Sequence, residues 1–153
     1  VDKEMIRLKE YLDYLQETKT VSNVKYIDLI DKYDLPKNRI LIFGSSVLAV
    51  HGLRKNKDLD IIVPKDLFKE LSSNKLFTIG IASSGEKFLK DRSGNMEIYF
   101  SAGILKVDLK ILLKRADNIN GYLFMSVEDM IRWKKKMGRE KDLEDVKLLE
   151  TVK

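Results

Sequence analysis

The 153-residue sequence has no cysteine, which excludes a disulfide scaffold, a cysteine nucleophile and any thiolate-held zinc or iron–sulfur centre. The same absence suits a reducing cytoplasm. A single histidine, His51, excludes a His-rich metal site and a two-histidine mechanism. With two prolines and no repeat or low-complexity tract, nothing marks a linker, so residues 1–153 read as one domain. No apolar run approaches the roughly 18 to 20 residues of a membrane span, and the charged opening Asp2-Lys3-Glu4 is unlike a signal peptide. A soluble cytoplasmic protein without a membrane partner is expected.

What is present is a core and a charge bias. Hydrophobic residues make up 44% of the chain, enough to bury roughly two thirds of the unfolded surface without a staple. Lys and Arg number 29 against 24 Asp and Glu, a net charge of +5. The segment Arg132 to Lys141 holds six basic residues and one acidic one, so it alone accounts for that excess. Such a segment suits RNA or another phosphate-rich partner.

Periodicity predicts an N-terminal helical segment over 1–35. Met5, Leu8, Leu12 and Leu15 form one amphipathic stripe, and Val24, Ile27 and Ile30 give the inner face of a second helix over Asn23 to Tyr33. Ile40 to Phe43 is an apolar run ending at Gly44, the pattern of a buried strand, and Val47 to Leu53 reads as a helix capped by Ser45 or Ser46. Strands follow at Asp58 to Val63, Phe77 to Ile81 and Met96 to Phe100, with a helix over Asp66 to Leu71 and a Gly/Ser/Lys loop beyond Ile81. Leu109 to Ala116 is read as a helix with Asp108 as its N-cap, and helices over Val127 to Met137 and Glu140 to Thr151 flank Gly138. The fold class is α/β (α+β), a small mixed sheet flanked by helices, with residues 40–116 as the core unit and 126–151 as C-terminal helices.

The chemistry lies in Ile40 to Val63. A strand that runs into Gly44-Ser45 and then a helix offers free backbone N–H groups to a phosphate. Asp58 and Asp60 stand two apart on the next strand, so both carboxylates share one face, with Cα atoms about 6.5 to 7 Å apart. Carboxylates that close repel unless a cation lies between them, and a hard ion such as Mg²⁺ or Mn²⁺ takes oxygen ligands. Leu59, Ile61 and Val63 face the core and anchor the strand.

Gly44-Ser45, the twelve-residue spacer and Asp58-Leu59-Asp60-Ile61 together resemble the nucleotidyltransferase superfamily, in particular its minimal members. The likeness covers 40–63 well, 96–150 loosely and the first 35 residues hardly at all. It implies a nucleotidyltransferase fold, a nucleoside triphosphate substrate and a third carboxylate, for which Glu97 in Met96-Glu97-Ile98 comes first and Asp108 second. It also implies nucleotide contacts from Gly44, Ser45, Ser46 and Lys57. Trp133, Lys134, Arg139, Lys141, Asp142 and Asp145 resemble a family pattern near the C-terminus, in which Lys134, Arg139 and Lys141 meet phosphate. The other reading of those three is a solvated basic face. Asn56 replaces the Ser or Thr that many relatives carry two residues before the first acid. His51, at a helix end, is read as a helix-dipole partner.

The resemblance implies metal-dependent transfer of a nucleoside monophosphate to an acceptor hydroxyl, with release of pyrophosphate. The acceptor implied is an RNA or tRNA end or a partner protein, as in small toxin–antitoxin nucleotidyltransferases. The alternatives are a small-molecule (antibiotic) nucleotidyltransferase and a catalytically silent module that binds protein or nucleic acid. Oligomeric state is not legible.

Overall fold

The computed structural model describes residues 2–18 and 20–153, with the side chains of 11–18 outside the description. Seven helices and one seven-stranded sheet are found among these residues. The helices are α1 (Lys3–Thr18), α2 (Asp28–Lys32), α3 (Ser45–Val50), α4 (Lys65–Ser72), α5 (Leu109–Arg115), α6 (Val127–Met137) and α7 (Glu140–Glu150). The strands are β1 (Leu41–Phe43), β2 (Leu59–Ile62), β3 (Phe77–Ile81), β4 (Lys87–Asp91), β5 (Met96–Tyr99), β6 (Asp117–Ile119) and β7 (Tyr122–Phe124).

The sheet runs β3-β4-β5-β2-β1-β7-β6. β1 and β2 are antiparallel, whereas β2 pairs with β5 and β1 with β7 in parallel, so the sheet is mixed. The central strands are apolar because both of their faces are covered: Leu41, Ile42, Leu59, Ile61 and Ile98 are all fully buried. The register sets Phe43 beside Asp60, Asp60 beside Glu97, and Glu97 beside Lys90. These four side chains therefore lie in one row on one face of the sheet.

The C-terminal helices form a hairpin turned at Gly138, whose φ of 66° is the left-handed conformation that ends a helix. Ser126 caps α6 by accepting from the Asp129 N–H at 3.1 Å.

Several expectations are corrected. The helix over Asn23 to Tyr33 shrinks to α2, because Tyr26 takes a φ of 69° that an α-helix does not allow. A 3-10 turn, Val21–Asn23, precedes it, and Val24, Leu29, Ile30 and Leu35 still reach the core. α1 is helical as expected, yet Met5 is 65% and Leu8 54% exposed, so this end of its stripe is uncovered. Leu12 and Leu15 lie outside the described side chains. The loop beyond Ile81 contains β4, bracketed by Ser84-Gly85 and Ser93-Gly94 turns. Residues after α5 form the β6–β7 hairpin around Asn120-Gly121, whose φ values of 54° and 86° fit the tight turn for which this dipeptide is suited. The N-cap of α3 is Gly44, not a serine.

Candidate functional site

Asp58 lies just before β2 and Asp60 within it, while Glu97 stands on the parallel neighbour β5 as the register partner of Asp60. One oxygen from each carboxylate falls within 4.8 Å of the others, a spacing that can hold a metal ion. Of the two residues expected to supply a third carboxylate, the structure brings Glu97 to the pair. Asp108 is elsewhere, capping α5 by accepting from the Lys110 N–H at 3.0 Å. It lines a separate groove of about 610 Å³ with Arg39, Lys65, Phe100 and Leu113, and none of the three clustered carboxylates borders that groove.

The three acids receive little internal compensation. Asp60 has a buried oxygen, Oδ1, without a hydrogen-bond partner. Its carboxyl is held well above the usual carboxylate range, first by burial and then by the charges of Asp58 and Glu97. Asp58 is raised for the same two reasons, burial and Glu97. Tyr99 donates to Glu97 Oε2 at 2.8 Å and is itself pushed upward, by burial first and by that hydrogen bond second. The Tyr99 ring packs edge-on to Phe43 at 5.7 Å and stacks on Phe88 at 5.5 Å, which fixes the orientation of its hydroxyl. An unsatisfied carboxylate oxygen in a water-poor place is costly in the chain alone, and a bound cation would remove that cost.

Gly44 is required where it stands. Its φ is 73°, and a Cβ there would come within 2.9 Å of Asp60 Oδ2. The glycine turn thus makes the room into which the second carboxylate fits. Ser45 accepts the Lys57 N–H at 3.3 Å through Oγ, and fully buried Ser46 donates to the Asp58 carbonyl at 3.4 Å. Both serines tie the turn to the start of β2; Ser46 is enclosed there and does not face a ligand. Asn56 belongs to the same support. Its amide accepts from the Lys25 N–H at 2.9 Å and donates to the carbonyls of Lys25 and Asp58 at 3.0 Å each, which pins the segment after α1 against the loop entering β2. Lys57 is exposed.

The basic C-terminal segment divides between the two expectations and a third arrangement: Lys141 is exposed as on a solvated face, whereas Lys134 and Arg139 are tied to carboxylates. Lys134 is buried, with Nζ 2.8 Å from Asp145 and 3.4 Å from Asp142. Arg54 closes on Asp145 with two bonds of 2.8 Å, and Arg139 holds Asp142 through Nε at 2.6 Å. Arg132 is paired with Asp129 at 2.7 Å. Three of the six basic residues are thus committed to carboxylates of the same helix pair, and Lys135, Lys136 and Lys141 remain exposed. The positive charge of Lys134 still reaches the site, where it opposes the upward shift of Asp60. Trp133 packs edge-on to Phe43 at 5.6 Å, which couples α6 to the row bearing Asp60.

Two residues at the site escape the sequence reading: Lys90, 3.7 Å from Glu97 Oε1, and the orienting Tyr99. Both become legible once Glu97 is placed on a strand, Tyr99 by period two and Lys90 by the hairpin between the two Ser-Gly turns. Comparison of the chain with protein-family models, curated proteins and solved structures finds no match. The observed class is a mixed α and β domain whose sheet presents an acidic cluster able to take a metal ion. Among the described residues, no helix is long and apolar enough to cross a membrane.

Proposed function

We propose that the protein is a metal-dependent nucleotidyltransferase that moves a nucleoside monophosphate from a nucleoside triphosphate to an acceptor hydroxyl, on an RNA end or a partner protein. The observation that carries this reading is the convergence of Asp58, Asp60 and Glu97, with Asp60 seated against Gly44 and one of its oxygens buried and unpaired. Asp58, Asp60 and Glu97 would hold one or two Mg²⁺ or Mn²⁺ ions, whose charge would neutralise that of the triphosphate and lower the pKa of the acceptor hydroxyl.

The rest falls to the chain itself. β2 and β5, buried on their other face, hold the carboxylates rigidly, and Tyr99 fixes Glu97. Gly44 lets the backbone approach a phosphate, and the Ser45 hydroxyl and the exposed Lys57 lie at the same turn. In the transfer, the acceptor oxygen forms a bond to the α-phosphorus and the bridging bond from that phosphorus to the β-phosphate oxygen breaks. Its electron pair departs with pyrophosphate, and the hydroxyl proton passes to solvent. No protein nucleophile is needed, because such catalysis is mainly positioning and electrostatics. Exposed Lys135, Lys136 and Lys141 favour a polyanionic acceptor such as RNA.

The test is incubation with each α-labelled nucleoside triphosphate, Mg²⁺, and pooled RNA or cell protein. The wild type is expected to label one of the two pools, and Asp60→Asn to lose at least about a hundredfold of that rate. Absence of label from all four triphosphates in both pools would overturn the reading.

A further inference from the structure

The role expected of the C-terminal lysines is better filled by a residue on the opposite side of the carboxylates. Lys134 and Arg139 each lie between carboxylates or against one, at 2.6 to 3.4 Å, and turning either to a phosphate would take a cation from buried Asp142 or Asp145. Lys90 is placed otherwise. It lies on β4 as the register partner of Glu97, so its side chain extends the row formed by Phe43, Asp60 and Glu97 on the same face of the sheet. Its side chain is 44% exposed, and among the described residues its one ion-pair contact is long, 3.7 Å to Glu97 Oε1. Its charge also reaches Asp58, where it opposes the upward shift. The neighbouring row supports it: Phe88, two residues back on β4, stacks on Tyr99, and its ring covers Gly80 so closely that a Cβ there would meet it at 2.6 Å. These contacts add to the antiparallel pairing of β4 with β5.

We infer that Lys90 is the phosphate-binding cation of this site, resting against Glu97 in the metal-free chain and turning to a phosphate oxygen of the triphosphate when a metal ion takes Glu97. The inference rests on the proposed function and adds a residue to it. A compact ammonium on a flexible stem suits such an exchange of partners, since it needs no fixed fork geometry. The group it contacts in the free chain is also one of the three groups that would bind the ion. Lys90 therefore opposes metal binding and favours triphosphate binding, two effects of opposite sign that an ordinary surface ion pair would not produce together.

Calorimetry on the full chain separates them, with Mn²⁺ alone as the first titrant and the Mn²⁺–tripolyphosphate complex as the second, for wild type, Lys90→Gln, Lys90→Arg and Asp60→Asn. Lys90→Gln is expected to bind Mn²⁺ a few-fold more tightly and the tripolyphosphate complex about tenfold more weakly, while Lys90→Arg stays near wild type for the complex. Tripolyphosphate affinity unchanged or tightened in Lys90→Gln would overturn the inference, as would absence of tripolyphosphate binding by the metal-loaded wild type. If the wild type does not bind Mn²⁺, or Asp60→Asn binds it equally well, the metal-site reading itself fails and this inference with it. Circular dichroism shows whether each variant is folded.

Discussion

Asp142 and Asp145 on α7 and Asp58 and Asp60 beside and within β2 are all withdrawn from solvent in part or in full, yet the two pairs of carboxyls shift in opposite directions. For Asp142 and Asp145, burial alone would raise the pKa, but hydrogen bonds from Arg139 and Arg54 and the charge of Lys134 outweigh it and hold both acids low. For Asp58 and Asp60 burial wins, and each further acid in the cluster adds to it. Supply of cations by the chain is what separates the structural acids from the ligand-seeking ones. The acids of the α6–α7 hairpin are met by close cations, from the hairpin itself and from Arg54, whereas among the described residues the ion pair to the β2–β5 acids is the long contact from Lys90.

The comparison is broken most severely at Lys134. Lys134→Ala leaves two buried carboxylates with one cation fewer, and should cost about 3 to 5 kcal/mol in urea unfolding. Lys134→Met together with Asp145→Leu should cost much less than the sum of the two single variants, because no charge is then stranded at that contact. Equal costs for single and paired changes would mean that the helix hairpin is held by its apolar contacts alone. The smallest change is at the third acid that the structure leaves out. Asp108→Ala should lose about 1 kcal/mol as a helix N-cap and leave Mn²⁺ affinity unchanged, measured by unfolding and by calorimetry on the same preparation.

The pH dependence of stability carries the same contrast, and its signs follow from the shifts. Asp142 and Asp145 are lower in the folded chain than their ordinary value, so they stabilise it above that value and the contribution is lost as pH falls through the lowered range. Asp58 and Asp60 are raised, so they favour the folded chain in acid. That contribution is lost as pH rises from the ordinary carboxylate value through the raised range.

The residue pattern makes one cluster legible and hides the other. Asp58 and Asp60 declare themselves by period two within an apolar strand, and Glu97 by an acid where strands seldom hold one. Placing Glu97 opposite Asp60 needs the parallel pairing of β2 with β5, a contact made across three intervening elements. The partners of Lys134 lie 8 and 11 residues on, beyond the Gly138 turn, and the contact of Arg54 with Asp145 spans 91 residues, so neither is visible as a local spacing. The basic excess of Arg132 to Lys141 consequently looks free in the sequence, although three of its six charges are already committed. Short elements are hidden for another reason. β4, β6 and β7 hold three to five residues each, too few for a hydrophobic period, and only their Ser-Gly and Asn-Gly turns announce them.

The claim that the β2–β5 acids are short of positive charge is tested most directly by thermal unfolding of wild type and Asp60→Asn near neutral pH, with and without Mn²⁺. Without metal, Asp60→Asn should melt at or above the wild-type temperature, since it removes a carboxylate that the fold does not satisfy. Mn²⁺ at about a hundred times its dissociation constant should raise the wild-type Tm by about 5 to 10 °C and leave Asp60→Asn in place. A wild type indifferent to the ion, or a variant that gains as much, would contradict the account.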